Sequence, residues 1–93
     1  MQVDADKLIE FTRTLEGEIL ETNSGGSQFT VQVTKNGMEY TPLSTGKVRR
    51  QSYNYIERVC EQFSETNSFV RREYGYTAHG SYILALIRKY VSR

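Results

Sequence analysis

Proline, cysteine and histidine occur once each in this 93-residue chain, and tryptophan does not occur. With Cys60 alone, a disulfide framework within the chain is excluded and a cysteine-based zinc site has no second ligand. No apolar run reaches the roughly 18–20 residues that a membrane-spanning helix requires. The opening Met1-Gln2-Val3-Asp4 lacks the basic-then-apolar order of a signal peptide, so a reducing cytoplasm is the expected location. Repeats are missing too. The one low-complexity stretch, Asn23-Ser24-Gly25-Gly26-Ser27, reads as a loop.

What is present is clustered and periodic, which argues against disorder. The length suits a single domain over residues 1–93, which buries roughly 60–65% of its unfolded surface. Residues 4–16 are expected to form a helix. Asp4 can cap it by accepting backbone N–H bonds, and Asp6 suits the positive end of its dipole. Leu8, Phe11 and Leu15 recur at helical spacing, and Gly17 is placed to stop the helix in a left-handed conformation.

Strands follow. Residues 18–22 are a short candidate. Residues 28–34 alternate, with Phe29, Val31 and Val33 on one face and Thr30, Gln32 and Thr34 on the other. Asn36-Gly37 then offers the two residues of a type I′ turn. That loop sets Lys35 opposite Met38 and Val33 opposite Tyr40, which places Met38 and Tyr40 on the face of Val31 and Val33. Pro42 suits the end of an edge strand.

A second helix is expected to begin somewhere in 47–52 and to run to about residue 64, burying Tyr53, Ile56, Val59, Cys60 and Phe63. Asn54, Glu57, Arg58 and Glu61 face water. Residues 69–75 fit strand, helix or loop equally. A last helix starts near residues 79–81 and buries Ile83, Leu86, Ile87 and Tyr90, with Leu84 and Val91 widening the stripe. The expected class is α+β: an N-terminal helix, a small antiparallel sheet of two or three strands with a hairpin at Asn36-Gly37, then two C-terminal helices packed on the sheet.

Charge is unevenly spread. Residues 1–43 carry three basic and seven acidic side chains, a net −4, and residues 44–93 carry nine and four, a net +5. Six of the seven tyrosines also lie in the second half. Such asymmetry points either to a polyanion-facing side or to two halves that attract each other.

Three groups invite a catalytic reading. Thr45-Gly46-Lys47 resembles the end of a phosphate-binding loop, but Thr41 stands where the first glycine belongs and Val48 where the magnesium-binding hydroxyl belongs. His79 has no nucleophile or orienting partner beside it in sequence, and its neighbour Gly80 suits a turn or cap. Cys60 sits mid-stripe, where burial makes a thiol inert. Acidic pairs such as Asp4 with Asp6 and Glu16 with Glu18 match no known ion-binding loop. No catalytic residue, metal or cofactor is therefore expected.

The basic, tyrosine-rich second half carries the functional expectation. Lys47, Arg49, Arg50, Arg71 and Arg72 are the candidate phosphate contacts, with Tyr53 and Tyr74 assisting, because arginine pairs bidentately with phosphate and tyrosine hydroxyls are common partners. The expected function is a small non-enzymatic accessory protein that binds DNA or RNA. A winged helix-turn-helix, with the hairpin as wing, requires an added short helix near residues 70–74, because the 65–80 connection far exceeds a tight turn. The competing reading is a protein-interaction module or homodimeric adaptor that uses the hairpin edge, without nucleic acid or membrane.

Overall fold

A computed structural model describes all 93 residues. Asp4 begins the first element: its carboxylate accepts from Lys7 N at 3.1 Å and opens α1 (Ala5–Arg13). Helical bonding ends three residues earlier than the apolar spacing suggests. Leu15 still reaches the core from the following turn, and Gly17 closes that turn at φ +88°.

Four strands follow in a simple antiparallel meander: β1 (Leu20–Glu21), β2 (Gln28–Thr34), β3 (Gly37–Pro42) and β4 (Arg49–Ser52), side by side in that order. The sheet thus has four strands, not two or three. β4 occupies residues expected to start a helix. Its Arg-Arg-Gln-Ser sequence has no apolar alternation, and its one buried side chain is the polar Gln51.

The hairpin is real, but its turn is Lys35-Asn36, closed by Thr34 opposite Gly37. Neither turn residue has a positive φ, so the loop is not type I′. Val33 pairs with Met38 and Val31 with Tyr40, two residues away from the expected register. A slip of two keeps every side chain on its face, so the predicted inner set of Phe29, Val31, Val33, Met38 and Tyr40 is indeed buried. Gly37 has a different duty. A methyl group there would collide with the Gln51 carbonyl oxygen, so glycine lets β4 approach β3.

Three helices cover the inner face. The chain passes directly from β4 into α2 (Tyr53–Thr66), with the Tyr53 amide donating to the Asn36 carbonyl at 2.8 Å. Ile56, Val59, Cys60 and Phe63 face inward as the spacing predicts. A 3-10 turn at Arg71–Tyr74 lies in the connection, and α3 (Gly80–Val91) completes the fold. Residues 83–87 of α3 are all buried, which makes it the central helix. Phe11 of α1 packs edge-on to Tyr90, while Tyr82 meets Phe29 and stacks on Tyr40. The opposite face of the sheet, with Thr30, Gln32, Glu39, Thr41 and Arg50, is left to solvent.

Candidate nucleic-acid interface

β4 alternates across its pleat, so Arg49 and Gln51 turn to the helical side and Arg50 and Ser52 to the open side. Arg50 lies opposite Glu39 on β3 and donates to its carboxylate at 3.0 Å. The only other ion pair in the protein is Arg13 with Glu10 on α1. The basic second half is therefore not neutralised by the acidic first half, apart from Arg50.

Several of these bases lie instead against aromatic rings. The Arg58 guanidinium stands 3.8 Å from the centre of the Tyr76 ring, Arg93 3.8 Å from Tyr90, and Arg88 4.4 Å from Phe69. Such contacts hold the cation without cancelling its charge.

Gln51 organises the end of the sheet. Its side chain is 3% exposed, and burial of an amide requires partners. Its Oε1 accepts from the Tyr40 hydroxyl at 2.5 Å, and its Nε2 donates to Thr77 Oγ1 at 3.0 Å. Burial raises the Tyr40 phenol well above its ordinary pKa, so that hydroxyl stays a donor. Thr77 Oγ1 also accepts from the His79 amide at 3.3 Å. The loop before α3 is thereby tied to β4, with Tyr76 fixed by a 2.8 Å bond from its hydroxyl to Gln62. Between edge and loop lies a concavity of about 180 Å³, whose wall includes Arg50, Gln51, Tyr55, Tyr76, Thr77 and His79. Burial first, and then the positive charge of Arg49, hold the His79 imidazole below its usual pKa of 6.5, which favours the neutral ring at neutral pH.

The expected contact residues fall into three groups. Arg50 is exposed and lines this concavity, and Arg49, also exposed, precedes it on β4. Lys47, Arg71 and Arg72 are exposed but stand outside its wall: Lys47 in the loop before β4, the two arginines on the 3-10 turn, where the Arg71 stem passes beside Gly80. The two tyrosines are engaged elsewhere. Tyr74 is wholly buried and its hydroxyl donates to the Ser68 carbonyl at 2.7 Å, so it supports the wall from behind. Tyr53 is half-buried and donates to Asp6 at 2.8 Å; that bond, with nearby carboxylates, pushes its phenol up to about 12.

Tyr55, Tyr76, Thr77 and His79 lie outside the set of contacts expected from sequence. Spacing on α2 carries a signal for Tyr55, which lies off the stripe of Ile56, Val59 and Phe63 and is 43% exposed. Tyr76 shares with Tyr55 an interleaving with basic residues in the sequence, but nothing local signals Thr77 or His79 as contacts, because the 65–80 connection has no period. The phosphate-loop resemblance ends at Lys47, since a strand follows where a helix is needed. His79 sits at the N-cap of α3, and Cys60 is 2% exposed with its thiol pushed up to about 12, chiefly by burial. No group of three or more His, Cys, Asp or Glu side chains is disposed to hold a metal ion. Comparisons with models of protein families, with curated proteins and with solved structures find no match to this chain.

Proposed function

We propose that this domain is a non-enzymatic nucleic-acid-binding accessory protein whose contact surface is the β4–α2 end. One observation carries the reading: Arg50 lines a concavity with Tyr55, Tyr76 and His79, Arg58 lies over the Tyr76 ring, the charge of Arg49 acts on His79, and only Arg50 of these bases meets an acid. Exposed arginines beside exposed and half-exposed aromatics suit phosphate and base together. Lys47, in the loop before β4, and Arg71 and Arg72, on the 3-10 turn, are exposed positive charges that contribute to encounter.

Binding of labelled oligonucleotides, followed by fluorescence polarisation at two salt concentrations, tests this. Neutralising about four phosphates predicts a loss of roughly 100-fold in affinity between 50 and 200 mM salt. Arg49→Ala with Lys47→Ala weakens binding to all sequences alike and lowers the salt slope by about one for each phosphate no longer neutralised. Absence of association at low salt with every strand form ends the reading.

A second reading has its own observation. β1 pairs only with residues 28 and 29, so β2 extends past its neighbour. Glu16 caps only the Val33 amide there, and a partly covered strand edge is still a template for a second copy. Light scattering decides it: a strict monomer at high concentration removes the homodimer.

A further inference from the structure

We propose that the concavity between the β4 edge and the 76–79 loop receives one unpaired base of a single-stranded nucleic acid, with the adjoining phosphates on Arg49 and Arg50. The inference rests on the reading that this end contacts nucleic acid, and it names the strand form.

Size limits the occupant first. Pockets for drug-sized ligands run to about 300–1,000 Å³. At about 180 Å³ this one matches a single planar ring system open to solvent on one side.

The chemistry of the wall suits a base. Tyr55 presents its ring at the rim, on the exposed side of α2. Tyr76 is held by Gln62 at its hydroxyl and by Arg58 over its face, so the wall is ordered before any base arrives. Thr77 supplies an edge contact. A hydroxyl has one donor and two acceptor sites, and Thr77 Oγ1 already accepts from Gln51 Nε2 and from the His79 amide. Its proton is left to donate. Every base carries a carbonyl oxygen or ring nitrogen able to accept, so the expected recognition tolerates sequence.

A duplex fits this surface poorly. Reading a duplex requires a helix or ribbon in the groove. Residues 83–87 of α3 are buried, the exposed side of α2 carries Glu57, Glu61 and Glu65, and α1 carries Asp6 and Glu10. α3 has no acids but exposes only Arg88 and Lys89, at its C-terminal end, so no helix offers a continuous basic face. Bases stacked and paired within a duplex also cannot enter a pocket, whereas an unpaired base can.

The test compares four probes of equal length, about 16 nucleotides, enough to span the site of a small binding domain: oligothymidylate, oligouridylate, a strand of abasic sites, and a DNA duplex. At least one single strand is expected to bind roughly tenfold or more tighter than the abasic strand and the duplex. Tyr55→Ala is expected to lower that affinity by roughly 5- to 100-fold and to leave abasic binding unchanged, while Tyr55→Phe keeps the wild-type value. The DNA and RNA arms distinguish the two sources of the base. Abasic or duplex binding as tight as the single strands overturns the inference and leaves phosphate binding standing. So does a Tyr55→Ala variant, folded by circular dichroism, that binds like wild type. No association with any probe overturns both.

Discussion

At its β1 side the sheet ends against an acid; at its β4 side it ends among bases. Past the two residues of β1, the turn after α1 swings Glu16 against β2, where its carboxylate accepts from the Val33 amide at 2.8 Å. A charge-assisted bond closes that edge and blunts strand addition. The β4 side is finished with Arg49 and Arg50 and with a loop held off by the Gln51–Thr77 bond, so a concavity remains. One edge is blunted with a carboxylate and the other is left positive and open. The contrast teaches that the charge split of the chain separates the two sides of the sheet instead of gluing its halves together.

The largest effect follows from the residue that allows the basic edge to exist. Gly37 faces Ser52, and a side chain there would strike the Gln51 carbonyl oxygen. Gly37→Ala is expected to cost about 3 kcal/mol, through overpacking against backbone that cannot give way. Gly75→Ala is the control: its neighbour would lie at an ordinary 3.5 Å, and the expected change is within about 0.5 kcal/mol. Urea denaturation of both variants reads the difference. A Gly37→Ala protein as stable as wild type would mean that β4 does not approach β3 this closely.

A smaller effect is expected at the acidic edge. Glu16→Ala removes the acceptor from the Val33 amide and is expected to cost about 1–2 kcal/mol. It also bares the strand, so self-association should rise with concentration in light scattering. Glu16→Gln keeps an acceptor and should stay closer to wild type on both counts. If Glu16→Ala neither loses stability nor associates, the carboxylate is not what closes this edge, and the contrast between the two edges disappears.

The acidic edge is more legible in the sequence than the basic one, for physical reasons. The cap at Asp4, the alternation of β2 and the stripes of α2 and α3 are short-range signals, and they carry the α+β class. The hairpin register differs by two from the expected one because a slip of two leaves the same faces buried, and hydrophobic pattern cannot tell such registers apart. β4 is invisible in the sequence because its reason to be a strand lies in Gly37, far earlier in the chain, and its inward side chain is polar. The candidate site suffers most from this. Arg49 and Arg50 stand out as charge, but the wall they share with Tyr76, Thr77 and His79 is assembled by a bond between residues 26 apart, from Gln51 to Thr77. Tyr74, expected as a contact, lies in an aperiodic segment that folds into the core, while Tyr55 lies on a helix whose spacing marks it as exposed.

The smallest expected effect reports on the basic edge directly. Burial and then Arg49 lower the His79 pKa from 6.5, so between the lowered value and 6.5 the unfolded chain binds more protons than the folded one. Stability therefore rises as pH rises through that window and levels off above 6.5; as pH falls, the folded chain must charge a half-buried ring beside a guanidinium. Arg49→Ala removes the second cause. The His79 pKa is then expected to move up towards 6.5 in an NMR titration, with a shallower dependence of stability on pH. A bound polyanion should move it the same way in the wild-type protein, because negative charge favours the imidazolium. An Arg49→Ala titration curve identical to wild type would place the guanidinium away from the loop. The positive field at the mouth of the concavity would then have to come from Arg50 and Arg58, the first already paired with Glu39 and the second lying over Tyr76.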